Sequence, residues 1–368
     1  MELGEFWMCF GVGFVGQLAV GYPAAIISVT LAQPSFLEYM GLLTTINGKP
    51  GLDGHANSLL GATNGLFQAG AFFGVLAGSY IMDKYGRKMA AIYSATLSII
   101  GGVCLCAAQN ITMFIVFRFF AGAGAFAFVA LMPVYAAELA PPKLRGFFVG
   151  MNCLGIALGY ALAAYMGLAF YYTKSPAAHW RAPLGLALIF PVAVLIVLLF
   201  VPESPRWLLM VGRVEEAREI VMKLHYNKND ADGQDARSEF YQMQKQIEHD
   251  QMVKPTWMEM FTRPSYRKRT ILACGFAFIG QSTGILVINN YGPTIYAALG
   301  YDTLSQLILQ CGWITLAIPS NLLGVSSHNS RQSLCFILTI YSGMPRGSYG
   351  PQASYAHFCD WLLYLSYH

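Results

Sequence analysis

Three clusters of opposite charge stand out among long apolar stretches: Asp83-Lys84-Tyr85-Gly86-Arg87-Lys88, then Glu138 with Arg145, then Glu203 with Arg206. Carboxylates and guanidinium groups so placed suit charge-assisted hydrogen bonding, in which an Arg fork holds a carboxylate by two parallel bonds. Gly86, set between a carboxylate and two cations, permits a sharp turn. A fourth polar group carries no charge: Gln281, Ser282, Thr283, Asn289, Asn290 and Tyr291 fall within an apolar run. Amides, hydroxyls and aromatic faces recognise the hydroxyls of a sugar or polyol, and Gln281 and Asn290 equally suit bonding one helix to another. The sequence holds no nucleophile and base arrangement, no phosphate loop after a strand and no metal-ligand spacing, so neither enzyme chemistry nor a cofactor or metal is expected.

The elements that must carry these groups are set by composition. Of 368 residues, 55% are hydrophobic and 11% charged, too little polar surface for a soluble domain. About 20 apolar residues cross a hydrocarbon core of about 30 Å. Eight such stretches are read, roughly 6 to 31, 59 to 82, 89 to 109, 112 to 138, 147 to 170, 184 to 201, 270 to 297 and 303 to 325. Backbone groups must be satisfied internally in lipid, and no barrel-like alternation is present, so the expected fold class is an all-α membrane protein. Gly70, Gly74, Gly78, Gly122 and Gly124 predict close helix contact.

Lys84, Arg87, Lys88, Lys143, Arg145 and the basic residues from Arg206 to Arg269 lie in loops on one side, and only Lys49, Lys174 and Arg181 on the other. The positive-inside rule then places the N-terminus and the long central loop in the cytoplasm. The net charge of +4 is accounted for by topology, so the expected partners are a lipid bilayer and a small solute, not nucleic acid. The eight Cys are scattered without a disulfide or metal pattern. The first span, with Glu2 and Glu5 ahead of it, is expected to stay as an uncleaved anchor.

Taken in order, Asp83 to Lys88, then Arg118 with Gly122 and Gly124, then Pro133, Tyr135, Glu138, Pro141, Arg145 and Gly146, then Pro202-Glu203-Ser204-Pro205-Arg206-Trp207-Leu208, resemble the signature of the sugar porters of the major facilitator superfamily. The resemblance covers roughly residues 6 to 325. It implies a major-facilitator-type bundle, with a complete six-helix N-terminal half over 1–201, a cytoplasmic helical loop domain over 202–269, and two helices of the C-terminal half over 270–325. It also implies that Asp83, Arg87, Lys88, Glu138, Arg145, Glu203 and Arg206 form a cytoplasmic gate that opens and closes with the transport cycle; the alternative is solvated interfacial charge worth about 0 to 1 kcal/mol per pair.

The family pattern Q-Q-x-x-G-x-N-x-x-x-Y-Y-x-P, aligned on Gly284, puts Gln281, Tyr291 and Pro293 in place. Gly280, Leu286 and Asn290 depart from it. Cys153 and Tyr160 stand where the fifth helix of the family often offers two Gln. The candidate substrate-binding residues are therefore Gln281, Asn289, Asn290, Tyr291 and Tyr160, with either a substrate preference shifted from the plain hexose pattern or binding that has decayed. Gly and Pro in this segment also permit the helix to break or bend.

Arg118 is the one charged side chain well inside a span, and it must face the bundle interior. Proton-coupled relatives pair the matching Arg with an Asp in a G-Y-D motif; here the motif reads Gly21-Tyr22-Pro23. No Asp, Glu or His is expected in mid-membrane. Transport of a sugar or polyol by facilitated diffusion, not proton symport, follows as the expectation, in the plasma membrane as the common case of the family. The second expectation is a non-transporting nutrient sensor or a truncated regulatory form, because the segment Ser326 to Arg331 lacks the charged turn that the family repeats after its eighth helix. Residues 326–368 are expected to be an irregular tail, out of frame, and not an evolved domain.

Overall fold

The computed structural model describes residues 3–46, 49–141, 144–224, 234–253 and 259–326. Lys143, the polar segment 227–233 and the tail from 327 onward lie outside the described residues. Helix follows helix, as the long apolar runs demand. α1 (Leu3–Phe10) passes through a π turn at Gly11–Val15 into α2 (Gly16–Ala32), and a short α3 (Pro34–Tyr39) follows. Next come α4 (Gly54–Tyr85), α5 (Arg87–Cys106), α6 (Ile111–Leu139) and α7 (Arg145–Tyr171). The sixth stretch is interrupted into α8 (Ala178–Leu186) and α9 (Ile189–Phe200). Among the described residues, seven helical stretches are long and apolar enough to cross a membrane, from Trp7–Ala32 to Tyr266–Ala298. The eighth expected span is α16 (Thr303–Ser326), whose apolar part, Thr303–Pro319, is shorter.

Among the described residues, one β element interrupts the helical pattern. β1 (Leu43–Ile46) pairs antiparallel with β2 (Lys49–Leu52), with Leu43 opposite Leu52. It sits in the connection before α4, where Asp53 caps that helix by accepting from the Gly54 N–H at 2.7 Å. The Asn110 side chain caps α6, accepting from the Met113 N–H at 2.8 Å. Each cap satisfies an amide that the helix start leaves unpaired.

Packing within the first six stretches rests on small residues. A Cβ at Gly70 or Gly74 would run into the Phe119 or Ala123 carbonyl of α6, and one at Gly122 into the Phe67 carbonyl of α4. α4 and α6 therefore touch backbone to backbone, as expected from their glycines. Gly21 of α2 and Gly159 of α7 meet in the same way. A segment of α10 (Pro205–Met210), α11 (Val214–Leu224), α12 (Gln234–Val253) and α13 (Glu259–Thr262) follows. In it Trp207, Leu208, Leu209, Ala217, Val221 and Met243 form a small core of their own. The expected single span at 270 to 297 is two helices, α14 (Pro264–Ser282) and α15 (Ile285–Ala298), parted at Gly284 with φ +78°. α15 lies against α2 and α16, and α16 lies against α7.

Candidate functional site: a charged cluster, a buried arginine and a polar seam

The charged cluster is assembled by four helix ends. Arg87 opens α5 and is buried; its Nε and Nη2 donate to the two carboxylate oxygens of Glu138, in the last turn of α6, at 2.7 and 2.8 Å. The same guanidinium donates from Nη1 to the Met82 carbonyl at 3.1 Å. Asp83 is a marginal partner at 3.9 Å, with its side chain 73% exposed. Glu203 turns back onto the start of α5 and accepts the Arg87 N–H at 2.9 Å and the Lys88 N–H at 3.2 Å. A carboxylate here caps the amides and meets the positive end of the helix dipole. Ser204 completes the set. Its Oγ donates to Glu138 at 2.6 Å and accepts from the Trp207 N–H at 3.3 Å, which starts α10. Trp207 Nε1 reaches the Asp83 carbonyl at 3.0 Å, and Lys88 Nζ the Val201 carbonyl at 3.2 Å.

Gly86 is what lets these ends close up. It lies at φ +100°, and a Cβ there would sit 2.5 Å from Glu203 Oε2. Only glycine takes this backbone without strain and leaves room for the carboxylate. Arg145 and Arg206 stand outside the inner cluster. Arg145 Nε donates to the Ala137 carbonyl at 2.8 Å and Nη2 approaches Glu239 of α12 at 3.5 Å. Arg206 donates to Gln246 at 3.1 Å. Arg145 thus ties the membrane bundle to α12, and Arg206 ties α10 to α12 within the segment that follows. Glu239 and Gln246 carry no signal in the sequence, because nothing in their spacing marks them as partners, and Ser204 is visible there only as part of the Pro202 to Leu208 motif, without a role.

Arg118 is buried, and its guanidinium lies 4.0 Å over the ring of Phe67. Nη1 donates to the Pro23 carbonyl at 3.4 Å, while Nε and Nη2 have no protein partner. Pro23 thus occupies the place facing Arg118, as the changed motif implies.

The candidate substrate residues divide. Asn289, on α15, accepts from Trp313 Nε1 of α16 at 3.3 Å. Trp313 and Tyr160 both pack on the cluster of Ala161, Ala164, Cys311 and Ile314, where α7 meets α16. Asn290 and Tyr291 are half-buried on α15. Gln281 does not join them: it is exposed on the last turn of α14, beyond the break at Gly284. The structure adds Gln310, fully buried on α16 with both amide atoms unpaired and directly facing Gly292 of α15. Its signal in the sequence was an amide inside an apolar helix, the property that marked Gln281. At the opposite end from the charged cluster, Arg181 donates to Tyr39 Oη at 2.8 Å and stacks 4.8 Å over both Tyr39 and Trp180. His179 sits beside it in the first turn of α8, held by Ser35 at 3.3 Å and the Thr173 carbonyl at 2.9 Å.

A family model described as sugar (and other) transporter matches residues 8–345. The chain belongs to this family. The match runs on past Val325, where the motif resemblance was expected to stop. The MFS-type transporter criB of Aspergillus cristatus is 31% identical over 303 residues, which is 82% of this chain and 62% of that protein. The glucose transporter GlcP of Staphylococcus epidermidis is 28% identical over 312 residues, 85% of this chain and 64% of that protein. The chain therefore spans less than two thirds of the length of these relatives. Among solved structures, the proton:xylose symporter XylE bound to 6-bromo-6-deoxy-D-glucose superposes with TM-score 0.76 at 21% identity, covering 99% of this chain and 82% of that one. The partially occluded, inward-open form of the xylose transporter XylE from E. coli gives 0.70 at 20% identity, with 98% and 88% covered. These neighbours share the major facilitator fold. The chain is a multi-pass integral membrane protein, and the relatives and neighbours named are transporters, not enzymes.

Proposed function

We propose that the protein carries a sugar or related polyol across a membrane by alternating access, moving it down its gradient without a coupled proton. The observation that carries this reading is the uncharged polar seam where α15 and α16 lie against the first six stretches: Asn289 bonded to Trp313, with Trp313 and Tyr160 packed on one cluster between α7 and α16. Amide and indole N–H groups and a phenol match the donors and acceptors of a polyol and offer nothing to a charged solute. Membership in the sugar transporter family and likeness to the glucose transporter GlcP support the substrate class. Gln281, Asn290 and Tyr291 belong to the same proposal, with Gln281 reaching the solute only when the Gly284 break rearranges.

Uncoupled movement is supported by where the titratable groups are. Among the described residues, the acids and His on the membrane stretches, such as Asp83, Glu138, His55 and His179, fall in the terminal turns of their helices, and Arg118 faces Pro23 in place of a carboxylate. Proton carriers need a titratable group within the membrane. The cluster of Asp83, Arg87, Lys88, Glu138, Arg145, Glu203 and Arg206 is read as a gate on the cytoplasmic side of the plasma membrane, with the N-terminus on that side, following the bias of Lys and Arg. The units 1–201, 202–269 and 270–325 are read as bundle, cytoplasmic helical domain and start of the second bundle.

Reconstitution of the chain into proteoliposomes tests the reading. Labelled hexose or polyol should exchange across the membrane in counterflow, and uptake should neither exceed equilibration nor respond to a protonophore. Accumulation above equilibrium that collapses with the protonophore would remove the uncoupled mechanism. No exchange of any sugar or polyol by correctly inserted protein would favour the non-transporting sensor or regulatory form instead.

A further inference from the structure

We infer that Arg118 and Ser98 form an internal binding site for a small monovalent anion, chloride being the natural occupant. The two residues line one small cavity of about 20 Å3 between α2, α5, α6 and the α8–α9 stretch, room for a single water-sized species. Pro23, Ile26, Leu184 and Leu188 are among the other walls, so the rest of the lining is apolar. Three polar atoms at this place have no protein partner: Arg118 Nε, Arg118 Nη2 and Ser98 Oγ. All three carry hydrogens to donate. A single anion can accept from all three donors at once, whereas a water, with two lone pairs, can accept from only two of them. Charge argues the same way. The guanidinium is 1% exposed, its neighbours are the face of Phe67 and the Pro23 carbonyl, and no carboxylate lines the cavity. A buried charge without a partner is strongly unfavourable, and an anion in contact with it removes that penalty. The site is separate from the polar seam, and the inference does not depend on the transport reading.

The full chain in lipid nanodiscs, titrated with chloride against gluconate at constant ionic strength, tests it through the thermal unfolding midpoint. Chloride should raise the midpoint saturably, by about 2 to 4 °C, as expected for a ligand held by the folded state alone. Bromide should act likewise. Pro23→Asp supplies an internal carboxylate to Arg118 and should abolish the dependence, while Pro23→Asn, equally free of the proline ring but neutral, should retain it. Ser98→Ala, which removes one donor and no charge, should raise the half-saturating chloride concentration several-fold. Absence of any chloride effect on the unaltered chain would overturn the inference and leave the cavity to water. So would an equal effect in a folded Pro23→Asp protein, since chloride would then act elsewhere. Should Pro23→Asp not fold, an unchanged half-saturation in Ser98→Ala would overturn it as well.

Discussion

Glu138 shows how much one side chain carries at the charged cluster. It takes both forks of Arg87 and the Ser204 hydroxyl, and both ionic partners are nearly shielded from water, with side-chain exposures of 6% and 11%. Removing one member of a buried pair leaves the other charge stranded, at a cost of about 3 to 5 kcal/mol. Glu138→Ala is therefore expected to lower the unfolding midpoint sharply, whereas Glu138→Gln, which retains one acceptor oxygen and the shape, should lower it less. Fluorescence-detected unfolding in detergent measures both. Gly86→Ala should cost about 1 to 3 kcal/mol through its positive φ and displace Glu203, detectable as a lower midpoint that Glu203→Ala does not worsen further. Arg118 was legible in the sequence as an interior charge. That Pro23 would face it followed from the changed motif, but that the ring of Phe67 would cover it did not, because Phe67 comes from another helix.

Between helices, the fate of a glycine depends on what stands opposite it. Gly74 faces the Ala123 backbone, so Gly74→Val must push α4 from α6 and is expected to abolish the monodisperse folded species in size-exclusion chromatography. Gly284 faces open space, and its only constraint is a left-handed backbone. Gly284→Ala should cost only about 1 to 2 kcal/mol, a small change in midpoint with full retention of the folded peak. In the sequence Gly74 reads as a helix contact and Gly284 as a place where the helix can break, but neither reading says what stands opposite. The difference lies in the neighbour, which no local pattern encodes. The break of the seventh stretch was foreseeable from Gly284 with Pro293 nine positions on, but its position at Gly284 places Gln281 on one segment and Asn289 to Tyr291 on the other.

Across the whole molecule, the contact between Arg145 and Glu239 joins the membrane bundle to α12. At 3.5 Å, with Arg145 36% exposed, it should contribute no more than about 0 to 1 kcal/mol to stability. Its expected effect is on the transport cycle. Arg145→Glu should change the rate of solute exchange in proteoliposomes while leaving the unfolding midpoint nearly unchanged, and adding Glu239→Arg should restore part of the rate. Unchanged exchange in both would show that this link plays no part in gating.

Composition and motif order alone determined the membrane class, the helical architecture, the family and the end of the bundle at which the charges gather. Those properties follow from lipid as a solvent, which forces long apolar helices and drives charge to their ends. Tertiary structure decided which charges touch: Glu203 caps α5 and leaves Arg206 to Gln246, Ser204 completes the Arg87 to Glu138 pair, and Asp83 stays in water. It also decided that Asn289 and Tyr160 share the polar seam while Gln281 stands apart, and that Arg118 and Ser98 meet around a cavity. Each of these depends on the rotation and depth of one helix relative to another. Those are set by backbone contact at small residues and by the shape of facing side chains, which the order of residues along one helix does not specify.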